Sequence, residues 1–207
     1  MLDFPDNFLM FIIAAFIASA FPGVAVMGSF TTGLKQGFKS AAVFSLGLVS
    51  AAIFYFILSA LGLVLLIDKY QHLFVVLKYL GIGYLLFLGI QSFREKDFRI
   101  DLTEVRDTHN YMALFISGFL IHLTNPKNLL FFVAVLPQYI NTHQNINWQM
   151  FWLCLGSEVP EFLLLISYAY FAKFIKPFLM RPKVGLWFNK IIGALFVGLA
   201  FFLIFMH

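Results

Sequence analysis

Residues 40–67 read SAAVFSLGLVSAAIFYFILSALGLVLLI, without a single Asp, Glu, Lys or Arg. A run of about 18 apolar residues already spans a bilayer as a helix, so this segment reads first of all as a transmembrane helix. The same test picks out charge-free runs from Asn7 to Leu34 and from Asn128 to Ser157. Over the whole chain of 207 residues, 61% are hydrophobic and 12% charged. A soluble domain runs at about 45 to 50% apolar and about 25% charged, and no water-soluble fold of this length could bury the excess. A transmembrane β-barrel would alternate polar and apolar residues in segments of about ten, and these runs are apolar on every side. The expected class is therefore an all-α membrane protein.

Apolar runs separated by polar breaks predict six transmembrane helices: Phe8 to Leu34, Ser40 to Ile67, Leu73 to Phe93, Tyr111 to Leu136, Trp148 to Ala172 and Gly185 to Met206. The first is interrupted at Pro22-Gly23 and the fourth at Asn125-Pro126. Proline inside a helix removes a hydrogen bond and frees backbone groups that hydrocarbon cannot satisfy, so helices 1 and 4 are expected to be broken there. Ala18-Ser19-Ala20 resembles a signal-peptide cleavage site, but the stretch before it holds Asp3 and Asp6 and no basic residue. A secretory signal needs a basic start, so the first helix is expected to remain in the protein.

Basic residues gather in alternate loops. Lys35 and Lys39 follow the first helix; Arg94, Lys96, Arg99 and Arg106 follow the third; Lys173, Lys176, Arg181, Lys183 and Lys190 follow the fifth. The opposite side has Lys69, with Lys78 near it, and the uncharged Gln138 to Asn147 loop. By the positive-inside rule both termini are expected outside the cytoplasm. The net charge of +4 then reflects orientation and does not point to a nucleic-acid partner.

The charged segment 94–110 divides the chain into a first repeat, 1–93, and a second, 111–207, within a single transmembrane domain. Each half opens with a proline-interrupted helix, continues with a long apolar one and ends with a glycine-bearing one (Gly81, Gly83; Gly193, Gly198). An odd number of spans per half makes the second half inverted relative to the first, the arrangement of many secondary transporters.

Two acids lie inside a predicted span, Glu158 and Glu161. Three residues apart, they share a helix face. A charge at the membrane centre costs about 2.5 to 3.5 kcal/mol on the insertion scale, so ionising both would cost on the order of 5 to 7 kcal/mol before pairing. At least one is expected to carry a proton in some state, as proton coupling requires. At the breaks, the first amide groups of each following half-helix present positive dipole ends suited to a substrate carboxylate. Pro22, Gly23, Asn125, Pro126 and Lys127 are thus the candidate substrate-binding residues, with Asn125 offering a donor and an acceptor and Lys127 a full positive charge. His122, three residues before Asn125, reads as a packing residue or a second group on the same cavity.

Metal and redox chemistry find little purchase. Cys154 is the only cysteine, and His72, His109, His122, His143 and His207 have no partner at i+4 and no neighbouring cysteine, so neither a disulfide nor a metal set is expected. Neither a glycine-rich phosphate loop nor a nucleophile elbow occurs, and neither an enzyme nor a bound cofactor is expected.

With those residues in place, the chain resembles the LysE/RhtB family of amino-acid exporters over nearly its whole length. The resemblance rests on Pro22-Gly23, on LKYLGIGYLLFLGI at 77–90, and above all on Leu123-Thr124-Asn125-Pro126-Lys127-Asn128 followed by Leu136-Pro137-Gln138-Tyr139. Many members have proline after the first glycine, often followed by Asn, and an Asp in helix 2; here Val24 and Ala25 follow Gly23, and Ser50, Ala51 and Ala52 stand in helix 2. Glu161 falls where some members place an acid in helix 5. The resemblance implies a six-helix inner-membrane exporter of amino acids or related small metabolites, driven by exchange with protons. Its partners would be that solute, protons and the lipid bilayer, and the sequence is compatible with a homo-oligomer. The rival reading is a non-transporting membrane scaffold or assembly protein, which would need neither paired breaks nor buried carboxylates.

Overall fold

The structure is a computed structural model and describes residues 5, 7–20, 24–69, 71–94, 110–125, 128–129, 131–141, 144–179 and 182–205. Within them all regular structure is helical. Of the first apolar run the structure describes α1 (Phe8–Ala20) and α2 (Val24–Gln36); α3 spans Phe38–Lys69, α4 Gln71–Arg94 and α5 Tyr111–Thr124. A π-helical turn, Phe131–Val135, passes directly into a 3-10 turn, Leu136–Tyr139; α6 (Ile146–Tyr170), α7 (Ala172–Leu179) and α8 (Pro182–Phe205) follow. The limits of α3, α4, α6 and α8 fall within a few residues of those read from the apolar runs. By length and composition, Phe38–Leu61 and Ile146–Tyr170 can each cross a membrane.

Local chemistry sets the helix ends. Asn110 caps α5, its side-chain oxygen accepting from the amides of Met112 at 3.0 Å and Ala113 at 3.4 Å. Asn145 caps α6 in the same way, accepting from Asn147 at 3.0 Å and Trp148 at 3.4 Å. Such caps satisfy amides that a helix start leaves without partners. Between α2 and α3 the chain turns on Gly37 alone, at φ +84°, a left-handed conformation that glycine adopts without steric penalty.

Two stretches depart from the sequence reading. The helix expected to continue to Leu136 instead ends in the π and 3-10 turns, the latter with Pro137 in its first turn. Pro137 has no N–H to donate, so an α-helix could not run through it with its hydrogen bonds intact. The basic stretch after the fifth span is not all loop, because α7 occupies Ala172–Leu179.

Packing centres on α3, which lies against α5, α6 and α2, while α4 pairs with α8. Glycines allow the closest approaches. A Cβ at Gly47 on α3 would fall on the Phe115 carbonyl of α5, and one at Gly118 on α5 would fall on the Phe44 carbonyl of α3. Small residues at crossings are how membrane helices gain van der Waals contact when lipid competes equally for apolar side chains. Phe11, Phe56, Phe132, Leu136, Leu153 and Phe196 belong to one buried cluster, and Val26, Phe44, Leu48, Leu114 and Leu165 to another. The outer surface is apolar as well: Leu9, Ile57, Leu61, Leu163 and Phe174 are all more than half exposed. That surface suits hydrocarbon, since soluble monomers keep large apolar patches rare.

Candidate functional site

Two groups of polar residues inside the bundle lie beside the expected substrate-binding positions, one at the last described turn of α1 and one at the end of α5. α1 ends at Ala20, and the Ser19 hydroxyl, in its last turn, donates to Glu161 Oε2 on α6 at 2.9 Å. The structure thereby ties Glu161 to the last described turn of α1. Pro22 and Gly23 lie outside the described residues.

One helical turn earlier on α6, Glu158 is only 6% exposed. Its Oε1 accepts from the Ser157 hydroxyl at 3.0 Å, and Ser157 also reaches the Leu153 and Cys154 carbonyls. Glu158 Oε2 is buried with no hydrogen-bond partner among the described residues. A buried carboxyl oxygen left unmatched is costly, and it is an open acceptor for a proton-bearing group. Helical spacing and burial thus place both acids within the bundle, with Glu158 the deeper and Glu161 half-buried.

The end of α5 is built around Asn125. α5 stops at Thr124, and Asn125 adopts an extended conformation, φ −74° and ψ 113°, its amide bonding back to the His122 carbonyl. Its own carbonyl accepts from the amides of Asn128 and Leu129, each at 3.1 Å, so one residue closes one helical segment and opens the next. The Asn128 side chain donates to the His122 carbonyl at 3.4 Å. From α3 the Tyr55 hydroxyl donates to the Leu123 carbonyl at 2.5 Å, and its ring centre lies 6.2 Å from that of His122 and 5.0 Å from that of Phe132. Carbonyls that the end of α5 would leave unpaired are thus met by side chains. Pro126 and Lys127 lie outside the described residues, as does any depth relation between the two prolines.

Sequence reasoning had not singled out Ser19 or Tyr55 as partners of these groups. Nor had it found the hydroxyl contact between α2 and α3, where Ser29 and Ser45 bond at 2.9 Å, beside Thr32, which donates back to the Gly28 carbonyl of its own helix at 2.7 Å. Hydroxyls inside apolar runs were the available signal. A groove of about 370 Å³ between α3 and α6, lined by residues including Ile57, Leu61, Asn147, Met150 and Cys154, has an apolar lining that includes neither glutamate. No group of His, Cys, Asp and Glu suited to a metal occurs among the described residues.

Comparison with known proteins agrees with this picture. The family model described as LysE type translocator matches residues 16–207. The homoserine/homoserine lactone efflux protein of Salmonella typhi is 30% identical over 187 residues, covering 90% of each chain. An uncharacterized membrane protein of Bacillus subtilis (strain 168) is 30% identical over 200 residues, covering 93% of this chain and 95% of its own. One from Vibrio cholerae is 29% identical over 194 residues, covering 92% of each. No solved structure matches.

Proposed function

The chain belongs to the LysE type translocator family, and on that premise we propose that it exports amino acids or related small metabolites from the bacterial cytoplasm in exchange for protons. Members of the family are transporters, and the chain is an integral membrane protein. The observation that carries the proposal is the Ser19 to Glu161 contact, which joins a carboxyl inside the bundle to α1, just before the Pro22-Gly23 pair in the sequence. Homoserine enters as the first candidate solute for the cycle below because a relative of this similarity is named for efflux of homoserine and its lactone; the lactone, which lacks a carboxylate, could engage only the ammonium side of the site.

In the proposed cycle the solute's ammonium group binds ionised Glu161 from the cytoplasmic side, while Asn125, Lys127 and the amide ends at Pro22-Gly23 and Pro126 hold its carboxylate. Facing outward, Glu161 takes up a proton and the ammonium group leaves. Glu161 then returns the proton to the cytoplasm. One zwitterion thus moves out as one proton moves in, and Glu158 lends a second acceptor one turn away.

Two inverted three-helix halves would give the alternation this cycle needs, and one contact supports them. Gly89 and Gly193 are separated by 104 residues, as are Pro22 and Pro126. A Cβ on Gly89 would lie 3.0 Å from the Gly193 carbonyl oxygen, and one on Gly193 would lie 2.9 Å from that of Gly89. Reciprocal contact between equivalent positions is the mark of a local two-fold axis.

The direct test is efflux from vesicles preloaded with homoserine, homoserine lactone or other amino acids, with and without a pH gradient. Export of at least one solute that accelerates when the outside is acidified is the expected result. Release that ignores the gradient for every solute would sink proton exchange. The orientation has its own check. A reporter active only in the cytoplasm, fused after His207, is expected to stay silent because Lys35, Lys39 and the other basic loops hold the opposite face inside.

A further inference from the structure

We propose that α7 and the helix ends around it form a binding surface for anionic phospholipid headgroups of the cytoplasmic leaflet. α6 ends at Tyr170, Phe171 takes a non-helical conformation with φ −86° and ψ 6°, and α7 starts at once. α7 touches α2, α6 and α8, and Ala172, 1% exposed, is turned into the protein. The aromatic residues beside it are turned out: Tyr170 is 65% exposed, Phe171 47% and Phe174 79%. Phe38, at the start of α3, joins them with its ring 5.9 Å from that of Tyr170. This contact brings the start of α3 level with the end of α6, so Lys35 and Lys39 belong to the same rim as Lys173, and all three are exposed.

The sequence of α7, AKFIKPFL, separates two chemistries around the helix. Positions 173 and 176, both lysine, are three apart, and positions 174 and 178, both phenylalanine, are four apart on another side. On a helix this spacing sets the lysine positions apart from the phenylalanine positions, the pattern of a helix that lies in the plane of the interface with its apolar face at the acyl boundary. An outward Phe174 is unfavourable in water and well placed in that layer.

The charge identifies the lipid. The sequence holds no acid from Phe162 to His207, nor from Asn7 to Ile67, so the charged residues of both stretches are all basic: Lys35, Lys39, Lys173, Lys176, Arg181, Lys183 and Lys190. Lys190 also lies 5.7 Å from the centre of the exposed Trp187 ring, pairing a basic and an interfacial aromatic group once more. A second copy of this basic rim would be repelled, whereas an anionic leaflet attracts it.

The test uses the purified full-length protein in phosphatidylcholine bilayers containing trace spin-labelled phosphatidylglycerol or spin-labelled phosphatidylcholine. The fraction of each label immobilised at the protein gives a relative association constant. Preference for phosphatidylglycerol is expected, weakening at high salt. In the Lys173→Gln/Lys176→Gln double variant it should fall on the order of tenfold at low salt. Lys69→Gln, at the other end of α3, should leave it unchanged. Equal association of the two labels with the unaltered protein would overturn the proposal, as would an undiminished preference in the double variant. The measurement involves no transported solute, so it stands or falls independently of the export reading.

Discussion

Glu161→Gln is expected to abolish acceleration of efflux by a pH gradient, reducing it to the rate without one, while the folded protein remains in the membrane. Gln matches the carboxyl in size, and its amide oxygen can still accept the Ser19 hydroxyl that now bonds Oε2 at 2.9 Å. The α1 to α6 contact therefore survives, and only the ability to gain and lose a proton is removed. Glu158→Gln should affect coupling less. Its Oε1 bond from Ser157 can also be retained, but the new amide would place two donors where Oε2 lies buried without a partner. Its main effect is thus expected in stability, since an unmatched buried donor costs about 1 to 3 kcal/mol. Pure exchange of labelled for unlabelled solute separates binding from coupling and should persist in Glu161→Gln at a weakened affinity. Normal gradient-driven export by Glu161→Gln, at matched membrane levels, would rule out this residue as the proton carrier.

How much of this was readable beforehand depends on the range of the interaction. The long helices were legible because hydropathy is local: Ser40 to Ile67 can be nothing else in a bilayer, and α3 covers it. Helix caps are equally local, and Asn110 and Asn145 stand where chemistry would put them. The termination of α5 just before Asn125-Pro126 was legible as a conflict between proline and hydrogen bonding. The partner of Glu161 was not, because Ser19 lies 142 residues away and its own surroundings, Ala18-Ser19-Ala20, look like a cleavage site. α7 escaped for a different reason. Counting its lysines as loop charge hid the spacing of Phe174 and Phe178, which shows only when the stretch is read on a helix. Gly47 and Gly118 were unmarked for the same reason as Ser19, since a lone glycine in an apolar run reveals its facing helix only once the fold is known.

Those two glycines carry the second large effect expected. Gly118→Ala and Gly47→Ala should each lower stability markedly, whereas Gly83→Ala and Gly198→Ala should not. A methyl group at Gly118 meets the Phe44 carbonyl and one at Gly47 meets the Phe115 carbonyl, both backbone atoms of a facing helix. A flexible side chain could swing away; a helical carbonyl moves only with its helix. α3 and α5 would have to separate along their whole contact, and α3 also holds α6 and α2. Overpacking typically costs about 1 to 3 kcal/mol, and with backbone on the receiving side the upper end applies. For a chain of this size that corresponds to a fall in melting temperature of roughly 5 °C or more. At Gly83 and Gly198 an added Cβ would meet nothing within 4 Å, and alanine is the better helix former by up to about 1 kcal/mol. Thermal unfolding of the four variants in one detergent makes the comparison directly, because every substitution adds the same methyl group. Equal melting temperatures across the four would mean that the α3 to α5 crossing is not the close backbone contact described.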